Sequence, residues 1–187
     1  FSAPELQQNI FCELENLAPV HAILATNTSG LPISEIAQAT GCADRIIGMH
    51  FFNPVPVMKL VEVITGKETS DETTSATITL AEAMGKTPII ANDFAGFVSN
   101  RVLMPMINEA FNAWTDGVAQ PQDLDSIMKL GCAFPMGPLR LADYIGLDVC
   151  RDIMMVMYHG LGEDPKYLPN ENHVELVDSG HFGDKSG

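Results

Sequence analysis

His50 closes the apolar run Arg45-Ile46-Ile47-Gly48-Met49-His50, and Glu62 lies inside a second, Leu60-Val61-Glu62-Val63-Ile64; both have the composition of strands. Between them Asn53-Pro54-Val55-Pro56 has to be loop, because its prolines have no N–H to give a ladder. If the two strands lie side by side, imidazole and carboxylate meet. A carboxylate on one ring nitrogen fixes the tautomer and stabilises the imidazolium, leaving the other nitrogen to take a proton from a hydroxyl. On residue type alone a histidine after an apolar run is more often a hydrogen-bonded structural group, so context has to decide. Ser29 and Asn53 fall in loops that follow strands, where ligands meet an open α/β sheet. Asn100 falls in the first turns of a long helix. Turn and cap preferences alone favour plain local roles for all three.

Holding these groups in place requires a sheet with helices on it. Residues 4–17 carry Leu6, Ile10, Leu14 and Leu17 at helical spacing behind Pro4, and predict an amphipathic helix. Residues 22–26 predict a short buried strand, 27–30 a turn and 32–39 a short helix. Beyond the strands at 45–50 and 60–64, Ser70 or Asp71 caps a helix that stops at Gly85, and 88–92 is again strand. Helix alternating with short apolar strand is the pattern of a layered α/β sheet. From Phe97 onward the periodicity is helical throughout, with helices at 97–114 closed by Gly117, at 121–130 closed by Gly131, and at 138–158. A boundary near 92–96 therefore separates a sheet domain over 1–94 from a helical domain over 95–187. Met154-Met155-Val156-Met157 reads as adaptable core or subunit-interface packing.

The composition, 46% hydrophobic and 18% charged in 187 residues, is that of a globular protein with a real core. No run approaches the roughly 18 to 20 apolar residues that span a bilayer. A formal charge of −14 argues against binding nucleic acid or anionic membrane, whose phosphates it would repel. Cys12, Cys42, Cys132 and Cys150 lie far apart without metal-ligand spacing, and read as free thiols of a reducing compartment.

Four runs carry a resemblance. Ala25-Thr26-Asn27-Thr28-Ser29, the stretch from Ile47-Gly48-Met49-His50-Phe51-Phe52-Asn53-Pro54 to Met58-Lys59-Leu60-Val61-Glu62-Val63, Gly96-Phe97-Val98-Ser99-Asn100-Arg101, and Pro135-Met136-Gly137-Pro138-Leu139 closely resemble the L-3-hydroxyacyl-CoA dehydrogenase family, in its order and at its spacings, over nearly the whole chain. The Pro-Val-Met-Lys-Leu-Val-Glu stretch looks more like the monofunctional members, among them 3-hydroxybutyryl-CoA dehydrogenases. The resemblance implies the C-terminal part of a Rossmann-type sheet followed by an all-helical dimerisation domain. It implies hydride transfer between L-3-hydroxyacyl-CoA and NAD, with NADP left open, in fatty acid β-oxidation or butanoate metabolism. His50 is then the general base and Glu62 its partner, while Ser29 and Asn100 hydrogen-bond the reacting oxygen or the thioester. Asn27, Ser29, Asn53 and Lys185 lie against the cofactor. A homodimer through the helical domain, an acyl-CoA substrate and a cytoplasmic site, or the mitochondrial matrix in a eukaryote, complete the expectation.

The sequence also departs from that family. None of its 15 glycines forms the G-x-G-x-x-G turn on which a dinucleotide pyrophosphate sits at a helix N-terminus. Phe1-Ser2-Ala3 and Gln7 stand where relatives carry an acidic residue and a lysine, and Glu171-Asn172-His173 replaces a more apolar stretch. The expectation is a chain cut at both ends that binds cofactor weakly by itself. Two alternatives stay open: a noncatalytic helical dimer module on the same scaffold, and a dehydrogenase of the same fold acting on a sugar acid or carnitine.

Overall fold

Eight α-helices and four strands, besides three short 3-10 helices, lie in residues 4–186, the part of the chain that the computed structural model describes. Their order is α1 (Pro4–Leu17), β1 (Leu24–Thr26), α2 (Ile33–Ala37), β2 (Ile46–Phe51), β3 (Leu60–Thr65), α3 (Asp71–Ala83), β4 (Thr87–Asn92), α4 (Ser99–Thr115), α5 (Pro121–Cys132), α6 (Pro138–Ile145), α7 (Leu147–Gly160) and α8 (Glu171–Asp178). The expected departure from the family at Phe1-Ser2-Ala3 lies outside the described residues. Chain contacts divide the described residues into two units, with the division between Val98 and Ser99. A mixed sheet with covering helices forms the first and helices alone the second, the α/β-then-helical arrangement the periodicity predicts.

The first unit is a four-stranded sheet in the order β1-β2-β3-β4. β1 runs parallel to β2 and β3 parallel to β4, each pair joined through a helix. Residues 52–59 are too few for a crossover, which needs about a dozen residues, so β3 returns antiparallel to β2. Alternation along β2 sends Ile47 and Met49 to one face, with Val61, Val63 and Ala81 of α3. Ile46 goes to the other, where Phe11 of α1 and Ile33 and Ile36 of α2 join Ile64, Ala91 and Phe97. A strand covered on both faces is apolar at nearly every position, hence the continuous run ending in His50. Gly48 lets α2 come close, since a Cβ there would stand 2.9 Å from Ile33 Cδ1 and 2.9 Å from Ile64 Cβ. Asp93 holds the start of α2, whose Pro32 cap offers no side-chain acceptor: its carboxylate accepts the N–H groups of Ile33 at 2.6 Å and Ser34 at 2.7 Å. α3 begins as its sequence predicts, with Ser70 Oγ accepting from Thr73 N at 3.1 Å.

α1 spans the expected residues, yet its stripe of Leu6, Ile10, Leu14 and Leu17 is exposed, and Phe11 is its buried side chain.

In the second unit Met104, Ile107 and Phe111 of α4 pack with Leu139, Cys150, Met154, Met157 and Val177 into one core. Two helix ends differ from the sequence reading. Residues 138–158 are two helices, because Gly146 takes φ +106°, a value side-chain-bearing residues rarely adopt, and turns the chain between α6 and α7. α5 runs through Gly131 and closes two residues later at Ala133, in the left-handed conformation with φ 58°. The unexpected α8 brings in His173, fully buried and stacked on Phe111 with centroids 4.7 Å apart. Its Nε2–H donates to the Leu147 carbonyl at 2.8 Å, and burial pushes its pKa below the ordinary histidine value, so the ring sits in this core neutral. No residue of α5 is buried; Ile127 and Leu130, a turn apart, are 59% and 88% exposed. Among the described residues no helix is long and apolar enough to cross a membrane.

Candidate active site

The antiparallel register of β2 and β3 sets His50 directly across from Glu62. Opposite residues on one face of such a pair have Cβ atoms about 5 Å apart, within reach for an imidazole and a carboxylate. His50 Nδ1 lies 2.7 Å from Glu62 Oε2, and both side chains are buried, at 7% and 5% exposure. A carboxylate oxygen only accepts, so Nδ1 carries the hydrogen, and in the neutral ring Nε2 is then the nitrogen with the lone pair. Two aromatic rings flank the imidazole: Phe52 at 4.7 Å and Phe97 at 5.8 Å between centroids, both tilted. They set apolar matter beside the imidazole, where a lower local dielectric strengthens its hydrogen bond to Glu62.

β1 and β2 are parallel, so their carboxyl ends lie at one end of the sheet. Asn27, just past β1, is tied there: its Oδ1 accepts the N–H of Phe51, the residue after His50, at 2.9 Å. This bond fixes the loop carrying Ser29 to the strand carrying His50. Thr28 shapes the same turn by accepting the Leu31 N–H at 3.1 Å. Ser29 is half-buried, and Asn53, three residues beyond His50, is exposed.

Asn100 and Lys185 belong to the second unit. Asn100 is buried in the first turn of α4. Lys185 Nζ pairs with Asp148 Oδ1 at 2.5 Å, and Asp148, despite the desolvation that works against its charge, is held below the usual carboxylate range by that hydrogen bond. The two units thus hold the sequence-predicted residues as follows: His50 with Glu62, Asn27 just past β1 and bonded to the end of β2, Ser29 and Asn53 on loops that follow β1 and β2, and Asn100 and Lys185 in the helical unit.

The sequence shows both aromatic neighbours inside the runs that carry the resemblance but gives neither a role at the site. Phe52 stands two residues after His50, the spacing that puts side chains on one face of a strand, and was legible on that ground. Phe97 is distant in sequence and has no local signal. Among the described residues no group of three or more His, Cys, Asp and Glu side chains is placed to hold a metal ion. The four cysteines are free, and burial pushes the Cys150 thiol up to about 12, far from a reactive thiolate.

Two family models match the chain: the NAD binding domain of 3-hydroxyacyl-CoA dehydrogenase over residues 1–94 and its C-terminal domain over residues 96–187. A probable 3-hydroxybutyryl-CoA dehydrogenase of Bacillus subtilis is 57% identical over 95% of this chain and 62% of its own length. One from Deinococcus radiodurans is 52% identical over 98% of this chain and 66% of its own. The crystal structure of (S)-3-hydroxybutyryl-CoA dehydrogenase from Ralstonia eutropha superposes with a TM-score of 0.95 at 46% identity, covering 100% of this chain and 66% of that one. The chain spans just under two thirds of the length of these relatives.

Proposed function

The chain belongs to the 3-hydroxyacyl-CoA dehydrogenase family, and on that premise we propose that the protein interconverts L-3-hydroxyacyl-CoA and 3-ketoacyl-CoA with NAD, using His50 as general base. The observation that carries this reading is the 2.7 Å bond between His50 and Glu62, buried at the carboxyl end of β2. In the oxidative direction Nε2 takes the proton of the 3-hydroxyl as the C3–H bond gives up its hydride, and the proton rests on the imidazolium. Glu62, kept on Nδ1–H, offsets the positive charge as it forms. In reduction His50 returns the proton to the developing alkoxide. Ser29 and Asn100 are assigned as hydrogen-bond donors to the reacting oxygen, a contact strongest in the transition state.

The half-buried Ser29 and exposed Asn53 fit polar contact with the nicotinamide end of the dinucleotide. No glycine turn of the pyrophosphate-binding kind occurs in the 187 residues, so that grip is not assigned to them. NAD, when bound, supplies the hydride acceptor. The reading places the reaction in the cytoplasm, a reducing compartment that suits four free thiols; oxidised cysteines in protein isolated under non-reducing conditions would argue against it.

The test is turnover by the longest product of the reading frame that carries this chain. Reduction of acetoacetyl-CoA with NADH is expected at least about tenfold above any sugar-acid or carnitine substrate, because groups set to bind a thioester are left unpaired by the others. Absence of turnover with every substrate would return the noncatalytic dimer module.

A homodimer through the second unit belongs to the same proposal. Ile127 and Leu130 face solvent from a helix that buries no residue, and monomeric proteins seldom leave such apolar faces uncovered. Sedimentation equilibrium is expected to show a dimer, and Leu130→Lys to raise its Kd by about 30-fold or more, the cost of about 2 kcal/mol at an interface hot spot. An unchanged Kd would remove α5 from the interface.

A further inference from the structure

The loop between β2 and β3 has little to hold it. Pro54 and Pro56 donate nothing, and the turn's own bonds are those from Val57 N and Met58 N to the Pro54 carbonyl, at 2.9 and 3.0 Å. Its outer carbonyls point instead at a cation. Lys86 Nζ donates to the carbonyls of both Val55 and Met58, the latter at 2.8 Å.

The backbone presents that amine deliberately. Gly85, two residues past the end of α3, takes φ +74°, and Lys86 N returns to the Ala81 carbonyl at 3.0 Å, which aims the chain from the helix end into β4. Thr87 N then meets the Lys59 carbonyl at 2.8 Å, so lysine and loop share the sheet end at which β2 finishes and β3 and β4 begin. A charged donor bound to two carbonyls makes stronger hydrogen bonds than a neutral one. The loop so fixed carries Phe52, which packs on the His50 ring, and Asn53.

We propose that Lys86 is a positioning residue of the reaction: by clamping the Val55 and Met58 carbonyls it sets the loop that places Phe52 and Asn53 at the base. This inference rests on the proposed dehydrogenase reading. Its physical content is that the lysine acts through the loop and touches no substrate. Loosening a positioning element by about 1 Å can cost on the order of 100-fold in rate.

Two measurements test it. In the chain as it stands, Lys86→Met is expected to speed amide exchange at Val57 and Met58, whose N–H groups bond to the Pro54 carbonyl, by about tenfold or more while amides of α4 to α8 keep their protection, and Lys86→Arg, which keeps a charged donor at this position, is expected to restore slow exchange. In the active product, Lys86→Met is expected to lower kcat for acetoacetyl-CoA about 10- to 100-fold with KM within about threefold, and Lys86→Arg to recover most of it. Unchanged exchange, unchanged kcat, or an equal loss in Lys86→Met and Lys86→Arg would each overturn the proposal. A wild-type product without turnover would defeat the dehydrogenase reading first, and the positioning role with it, whatever the exchange data show.

Discussion

Replacing His50 with glutamine is expected to lower kcat for acetoacetyl-CoA reduction by about 10³-fold, within the range that a positioned acid–base group contributes. Glutamine is close in size and its amide can still donate to Glu62, so the buried carboxylate keeps a partner and the sheet its packing. What it lacks is a nitrogen that accepts and returns a proton. The loss falls on kcat, corresponding to about 4 kcal/mol of transition-state stabilisation, with KM for the thioester within about threefold. A variant with wild-type kcat would remove His50 as the base.

Glu62→Gln is expected to cost about 10²- to 10³-fold in kcat, by a different route. The amide offers N–H groups as well as a carbonyl, so the imidazole is free to turn its hydrogen onto Nε2, the nitrogen that has to accept the substrate proton. The negative charge that offsets the imidazolium is lost as well. A comparable exchange in the serine-protease triad leaves geometry intact and costs about 10⁴-fold. Because the two groups act as one unit, the double variant is expected to be about as slow as His50→Gln alone, and additive losses would show that they work independently. Steady-state kinetics of the four proteins decides this.

The pairing of His50 with Glu62 was legible in the sequence for a physical reason. Two apolar runs joined by a loop too short to cross over and too rich in proline to extend the sheet have few ways to pack other than side by side. The helix starts at Pro4, Ser70 and Pro121 were legible because capping and first-turn preferences are local. What escaped depends on distant contacts. Residues 138–158 have unbroken helical periodicity, and only the backbone at Gly146 reveals the break. Residues 171–178 form a helix around His173, whose burial against Phe111 has no sequence signal from an isolated polar triplet. The apolar stripe of α1 was visible, but periodicity gives a face and does not say what covers it.

The same distinction separates the site's parts. Strand-borne residues inherit their positions from the register, whereas the loop residues depend on ties such as Asn27 to Phe51 and Lys86 to the proline loop, which join residues 24 to 31 positions apart.

Nitrogen-15 NMR of the chain as it stands reads directly which ring nitrogen of His50 carries hydrogen. At a pH where the ring is neutral, hydrogen is expected on Nδ1, with Nε2 bare, and Glu62→Gln is expected to let it shift toward Nε2. Hydrogen on Nε2 of the neutral ring in the unaltered chain would remove His50 as the base, because no lone pair would then remain there to receive the substrate's proton.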